Sequence, residues 1–161
     1  MQSYAESVSQ AAGVKASTLS DSVSGTLDVA SYAGLVHVRG SAAGFVKLPA
    51  ASGDPAKAVG VSVCDPMTPV ATTGEDFAAG REIELLERGE IWCVCEEAMA
   101  VDTQPYVRHT ANGAGKLQCG ALRSDADTAH AELLPNARVV YPSTGAGIVK
   151  ISLNLPYGAS S

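Results

Sequence analysis

The chain is poor in aromatic side chains. Its 161 residues include two Phe, one Trp and five Tyr. Ring packing therefore cannot fill most of a core. Alanine, valine, glycine, serine and threonine dominate instead, a mixture suited to short strands joined by tight turns. Basic charge is also scarce: 11 Lys and Arg stand against 17 Asp and Glu, a formal net charge of −6. With no run of Lys or Arg, the electrostatic footprint that nucleic-acid binding needs is missing. No apolar run approaches the about 20 residues that span a bilayer. The opening "MQSYAESVSQAAGVK" has neither the basic start nor the apolar stretch of a secretion signal. We therefore expect synthesis and folding in a reducing host cytoplasm, where disulfides are rare. Catalytic signatures are missing as well. There is no G-x-S-x-G elbow, and the Gly groups at 113–115 and 145–147 lack the strand–loop–helix setting of a phosphate cradle.

The length fits one domain large enough to bury a core. Residues 1–24 are rich in Ser and Ala and read as an N-terminal arm, flexible or ordered only against a partner. From Thr26 the pattern turns to a period of two, so residues 25–161 read as a single all-β domain, a β-barrel or jelly-roll-like sandwich. Candidate strands are "LVHVR", "FVKL", "AVGVSV", "EIELL", "EIWCVCE", "PYVRH", "KLQC", "ARVVY" and "GIVKISLNL". Glu87-Arg88-Gly89 reads as a hairpin connection between the fourth and fifth of these. "SDADTAHAELL", from Ser124, predicts a turn or two of helix or an ordered loop before Pro135.

Cys93 and Cys95 share one strand face with Ile91, while Trp92 and Val94 face the other way. The two thiols lie about 7 Å apart by strand rise, too far for a direct disulfide. Cys64, Cys119, His37, His109 and His130 offer no C-x-x-C or H-x-x-x-H spacing with them. Core filling is the favoured reading, because a reduced cysteine packs as a small hydrophobe. No cofactor and no metal are expected. His130 near Asp125, Asp127 and Glu132 could form an acid–base or cation cluster, but such runs are more often solvated faces.

Two resemblances follow from longer stretches. "RGSAAGFVKL" (39–48) is similar to the first motif of trimeric dUTP pyrophosphatases, which supplies the alternative reading of a small all-β nucleotide hydrolase. That family carries an acidic residue just after the Gly-aromatic pair, where this chain has Val46 and Lys47. Its serine-containing phosphate motif and uracil-binding hairpin are missing too. The longer match is ordered: Arg88-Gly89, Ile91-Trp92, Glu96-Glu97-Ala98, Tyr106-Val107, Thr110 to Gly113, Ala137-Arg138-Val139, Gly145-Ala146-Gly147 and Ile148 to Leu153. With "GFVKLP" and "AVGVSVCD" upstream, residues 33–155 resemble the structural cement proteins of tailed bacteriophages. The resemblance implies a non-enzymatic virion protein on the outer capsid surface. It implies a homodimer or homotrimer that bridges neighbouring major capsid protein subunits against the pressure of packaged DNA. No nucleic-acid or membrane partner is expected. Apolar content outside the strand pattern nominates Tyr4, Val8, Val14 and Tyr157 as capsid or oligomer contacts.

Overall fold

The computed structural model describes residues 11–17, 19–65 and 75–155. Tyr4, Val8 and Tyr157 lie outside these residues; Val14 lies within them. The strands are β1 Asp21–Leu27, β2 Val36–Arg39, β3 Phe45–Lys47, β4 Ala58–Ser62, β5 Glu82–Cys95, β6 Tyr106–Arg108, β7 Leu122–Arg123, β8 Ala131–Leu133, β9 Ala137–Tyr141 and β10 Gly147–Asn154. A single 3₁₀ turn, Pro55–Lys57, precedes β4. The fold is all-β, as the period of two predicts.

Strand pairing closes a barrel. β1 pairs with β3, β3 with β2, β2 with β4, β4 with β5, and β5 returns to β1. The β1–β3 contact is parallel and the other four are antiparallel. Closure removes the open edges that would otherwise invite association. β5 then runs on beyond the barrel. Its second half pairs with β10, which carries β9, while Cys95 meets Leu122 of β7 and leads to β6 and β8. The outer edge of β9 is covered in turn: the Asp102 amide donates to the Val139 carbonyl and the Val139 amide to the Thr103 carbonyl, at 2.9 Å each.

Two cores result. Leu27, Ala33, Val46, Phe77, Ile83 and Leu85 fill the barrel. Leu86, Ile91, Cys93, Cys95, Val149 and Ile151 belong to the larger one.

The expected hairpin at Glu87-Arg88-Gly89 does not form. β5 is continuous for 14 residues, and pairing passes through this point: Arg88 meets both Asp21 and Asn154, and Gly89 meets Leu153. Glycine here bends a strand without reversing it. Before it, the odd residues Ile83 and Leu85 serve the barrel core; beyond it, the odd residues Ile91, Cys93 and Cys95 serve the other. Gly89 sits at φ +123°, and a Cβ there would meet Ser17 Oγ at 2.8 Å. Gly89→Ala is expected to cost about 1–2 kcal/mol of stability. Chemical denaturation of the purified variant measures this; an unchanged midpoint would mean that the bend needs no glycine.

A further candidate strand is corrected. "KLQC" is not a strand, and the pairing falls instead on Leu122–Arg123. Cys119-Gly120 cannot extend the ladder because Gly120 takes φ +87° against Val36 O. "SDADTAHAELL" forms no helix: residues 124–130 are the ordered loop, and Ala131–Leu133 is β8. Asp127, Thr128 and Ala129 all have positive φ (41°, 53° and 68°), a handedness that breaks an α-helix. β1 begins at Asp21, within the residues read as arm.

Candidate functional site

Two regions carry the chemistry that the sequence raised, the CVC strand and the histidines; a third, the polar residues around Glu96, is seen only in the structure. The first is core. Cys93 and Cys95 are buried with Ile91. Burial, with Cys95 nearby, pushes the Cys93 thiol far above its ordinary range. A thiol held protonated is neither a nucleophile nor a metal ligand at neutral pH. The opposite face of β5 presents Trp92, which meets Tyr141 edge-on at 5.5 Å. Lys150 lies over the indole at 5.8 Å and pairs with Glu90 at 3.4 Å.

The histidine constellation is dispersed. His37 is fully buried in the barrel wall. Its Nδ1 donates to the Leu35 carbonyl at 3.0 Å, which leaves Nε2 to accept from the Ser31 hydroxyl at 2.9 Å. Desolvation lowers its pKa to about 4. His109 and His130 are backbone neighbours, but the carboxylates read as their partners turn elsewhere. Glu132 accepts from the Ser52 hydroxyl and the Gly53 amide. Asp125 and Asp127 bind arginines.

Those arginines form a buried ionic cluster that the sequence reading did not single out. Arg108 has no exposed surface, and Arg123 and Glu96 are buried beside it. Arg108 grips Glu96 through Nε at 2.5 Å and Nη2 at 2.9 Å, Asp127 at 2.5 Å and the Thr110 carbonyl at 2.8 Å. Arg123 reaches Glu96 at 3.1 Å and Asp125 at 2.7 Å. Arg108 thus spends its donors on two carboxylates and Arg123 on four, with Glu97 and Asp127 at 3.5 and 3.3 Å, the arrangement that makes buried Arg tolerable. The hydrogen bond from Arg108 holds the Asp127 carboxyl below its usual range; for Asp125 the Asp127 amide and then Arg123 do the same. The cluster ties the end of β5 to β6, β7 and the left-handed loop at 127–129. Its chemistry is charge neutralisation. No side chain in it is positioned as a nucleophile.

Beside it, the turn at 115–118 and Ala146 flank an open groove of about 320 Å³ with Val94 and Glu96. Leu117 stands 70% exposed on its rim. Leu19, Val29, Tyr141 and Val101 also face outward.

Val14 is half-buried in a segment that lies along β5. Gly13 donates to the Trp92 carbonyl at 2.7 Å, Trp92 to Val14 at 3.1 Å, and Ala16 to Glu90 at 2.7 Å. Lys15 pairs with Glu84 at 2.7 Å. This strap extends the edge that β1 begins.

One solved structure shares this architecture. A chain of "The capsid of Myoviridae Phage XM1" is similar in fold, with TM-score 0.68, 13% identity, and coverage of 92% of this chain and 93% of that one. "The crystal structure of head fiber gp8.5 N base in bacteriophage phi29" gives TM-score 0.49 at 9% identity, covering 84% and 94%. No curated protein matches by sequence. A family model described as "Structural cement protein (E217 gp24/Pam3 gp6)" matches residues 2–154, arm and strands together. The chain belongs to the structural cement protein family and serves as a phage capsid cement protein.

Proposed function

We propose that the protein sits on the outer face of the head as a homo-oligomer and bridges neighbouring major capsid protein subunits, with no enzymatic step. The observation that carries this reading is the family match over residues 2–154, which takes in the arm as well as the strands. The physical design supports it. A closed barrel, a covered sheet edge and a neutralised buried ionic cluster make a stiff body. Exposed apolar side chains such as Tyr141, Val101 and Leu117 are available for contacts. Repetition over a lattice lets each contact be modest.

Co-sedimentation with capsids lacking the protein is the test, with particle survival on heating scored in parallel. Saturable binding that raises the disruption temperature is expected; a folded protein that does not bind overturns the proposal. Tyr4, Val8, Val14 and Tyr157 remain our proposed contacts. Tyr4→Ala and Tyr157→Ala are each expected to weaken capsid binding about tenfold, the usual cost of truncating an aromatic anchor. Unchanged binding isotherms for both would remove those residues from the interface.

A further inference from the structure

The strap at residues 11–16 is fastened differently from every strand around it. No residue between Ala11 and Ser20 belongs to either buried apolar cluster among the described residues. What holds it is backbone: the three bonds to β5, a fourth from the Cys64 amide to the Gly13 carbonyl at 2.9 Å, and the half-exposed Lys15–Glu84 pair. Segments with few buried apolar contacts are among the first to open. Opening this one uncovers the β5 edge from Glu90 to Trp92, a row of backbone groups ready to accept another strand.

The seat is nevertheless selective. Gly13 adopts φ +78°, and a Cβ there would meet Cys64 N at 2.7 Å, Ala33 Cβ at 2.9 Å and Ser62 O at 2.9 Å. Gly34, at φ +77°, leaves the space that Ala12 fills, since its own Cβ would lie 2.8 Å from Ala12 Cβ. A strand must therefore bring a small residue followed by glycine, in one register. This chain's own arm does so, and so does the identical arm of a second copy. Between strap and barrel lie residues 17–20, where Leu19 is 87% exposed. Four extended residues reach about 13 Å, enough to redirect the strap toward an adjoining molecule.

We infer that the strap is exchanged between neighbouring copies of this protein, residues 11–16 of one chain pairing with β5 of the next. Exchange replaces each contact by an identical one, so it needs no new interface chemistry. It rests on the cement reading only for the closeness of copies on a shell, and it is tested apart from it.

Ala16 donates to Glu90 across the strap–β5 pairing, and a directly opposed pair suits a disulfide. In a background with Cys64 and Cys119 changed to Ala, Ala16→Cys and Glu90→Cys are made separately and mixed at high concentration, then oxidised. A covalent heterodimer is expected, with its yield falling at least tenfold when Gly13→Val blocks the seat. The double variant on one chain, diluted, should close internally and establishes the register. A double variant that closes internally while the mixture stays monomeric overturns the exchange. So does a double variant that fails to close. Hydrogen exchange on the unaltered chain adds an independent reading: the Gly13 and Ala16 amides should exchange at least a hundredfold faster than those of β10, and equal protection overturns the inference. On capsids, capture of the Ala16→Cys strap by the major capsid protein in place of a second copy also overturns it. Failure to bind capsids at all bears on the cement role, and the mixture in solution still decides exchange.

Discussion

Replacing Arg108 with alanine is expected to remove about 3–5 kcal/mol of folding stability, the usual cost of breaking one side of a buried ion pair. The loss does not come from the attraction alone. Removing the guanidinium leaves Glu96 buried with Arg123 as its remaining cationic partner and deprives Asp127 of the shorter of its two arginine pairs. The left-handed residues Asp127, Thr128 and Ala129 then lose the anchor that holds them in a costly conformation. Since small domains hold only about 5–15 kcal/mol in total, the variant should be largely unfolded near physiological temperature. Urea denaturation with a double-mutant cycle against Glu96→Gln measures it. A coupling well above 1 kcal/mol is expected; independent effects would mean that the cluster is decorative. Arg108→Lys should recover little, because an ammonium cannot span Glu96 and Asp127 with a planar fork.

The second large effect is a loss of stability in mild acid, set by His37. Its folded pKa of about 4 lies below the ordinary 6.5, so the unfolded chain takes up a proton that the folded chain refuses. Stability from this residue is complete above pH 6.5 and falls as the pH drops toward 4. At about 1.4 kcal/mol per unit the loss is about 2 kcal/mol by pH 5 and about 3 kcal/mol by pH 4. Nothing acidic faces the ring to compensate, since its partners are the Ser31 hydroxyl and the Leu35 carbonyl. The lowered carboxylates Glu84, Asp125, Asp127 and Glu132 add their own acid sensitivity only below about pH 4.5, where unfolded carboxylates begin to protonate. Unfolding free energies for the wild type and His37→Gln between pH 7.5 and 5 should therefore diverge in slope. A wild-type curve that is flat over that window would disprove the assignment.

The strand content was legible because it depends on local alternation. "LVHVR", "AVGVSV", "ARVVY" and "GIVKISLNL" all contain observed strands. What could not be read was how they pair. Gly89 in "ERGE" carries the composition of a hairpin and the role of a bend, and only its neighbours at Ser17 and Leu19 decide between them. The loop at 124–130 shows why capping signals mislead: Asp125 and Asp127 resemble first-turn acids, yet Arg123 just upstream and Arg108 from β6 claim them. The ionic cluster left only a faint trace. Glu96 closes an apolar strand, and Arg108 and Arg123 end short ones, but nothing local says that the three meet. The strap was visible as a segment that breaks the strand period, whereas its seat on β5 is a tertiary fact.

β5 has one more consequence. Barrel and outer sheet are joined along a single strand that belongs to both. Fourteen residues of strand extend about 46 Å at the usual rise. A pull that tries to part the two halves lengthwise is thus carried by covalent backbone, flanked by β1 on one half and β10 on the other. Rows of hydrogen bonds would have to slide together before this tie rod lengthened. For a cement protein under load, stiffness lies along that one axis, and any yielding comes from the bend at Gly89.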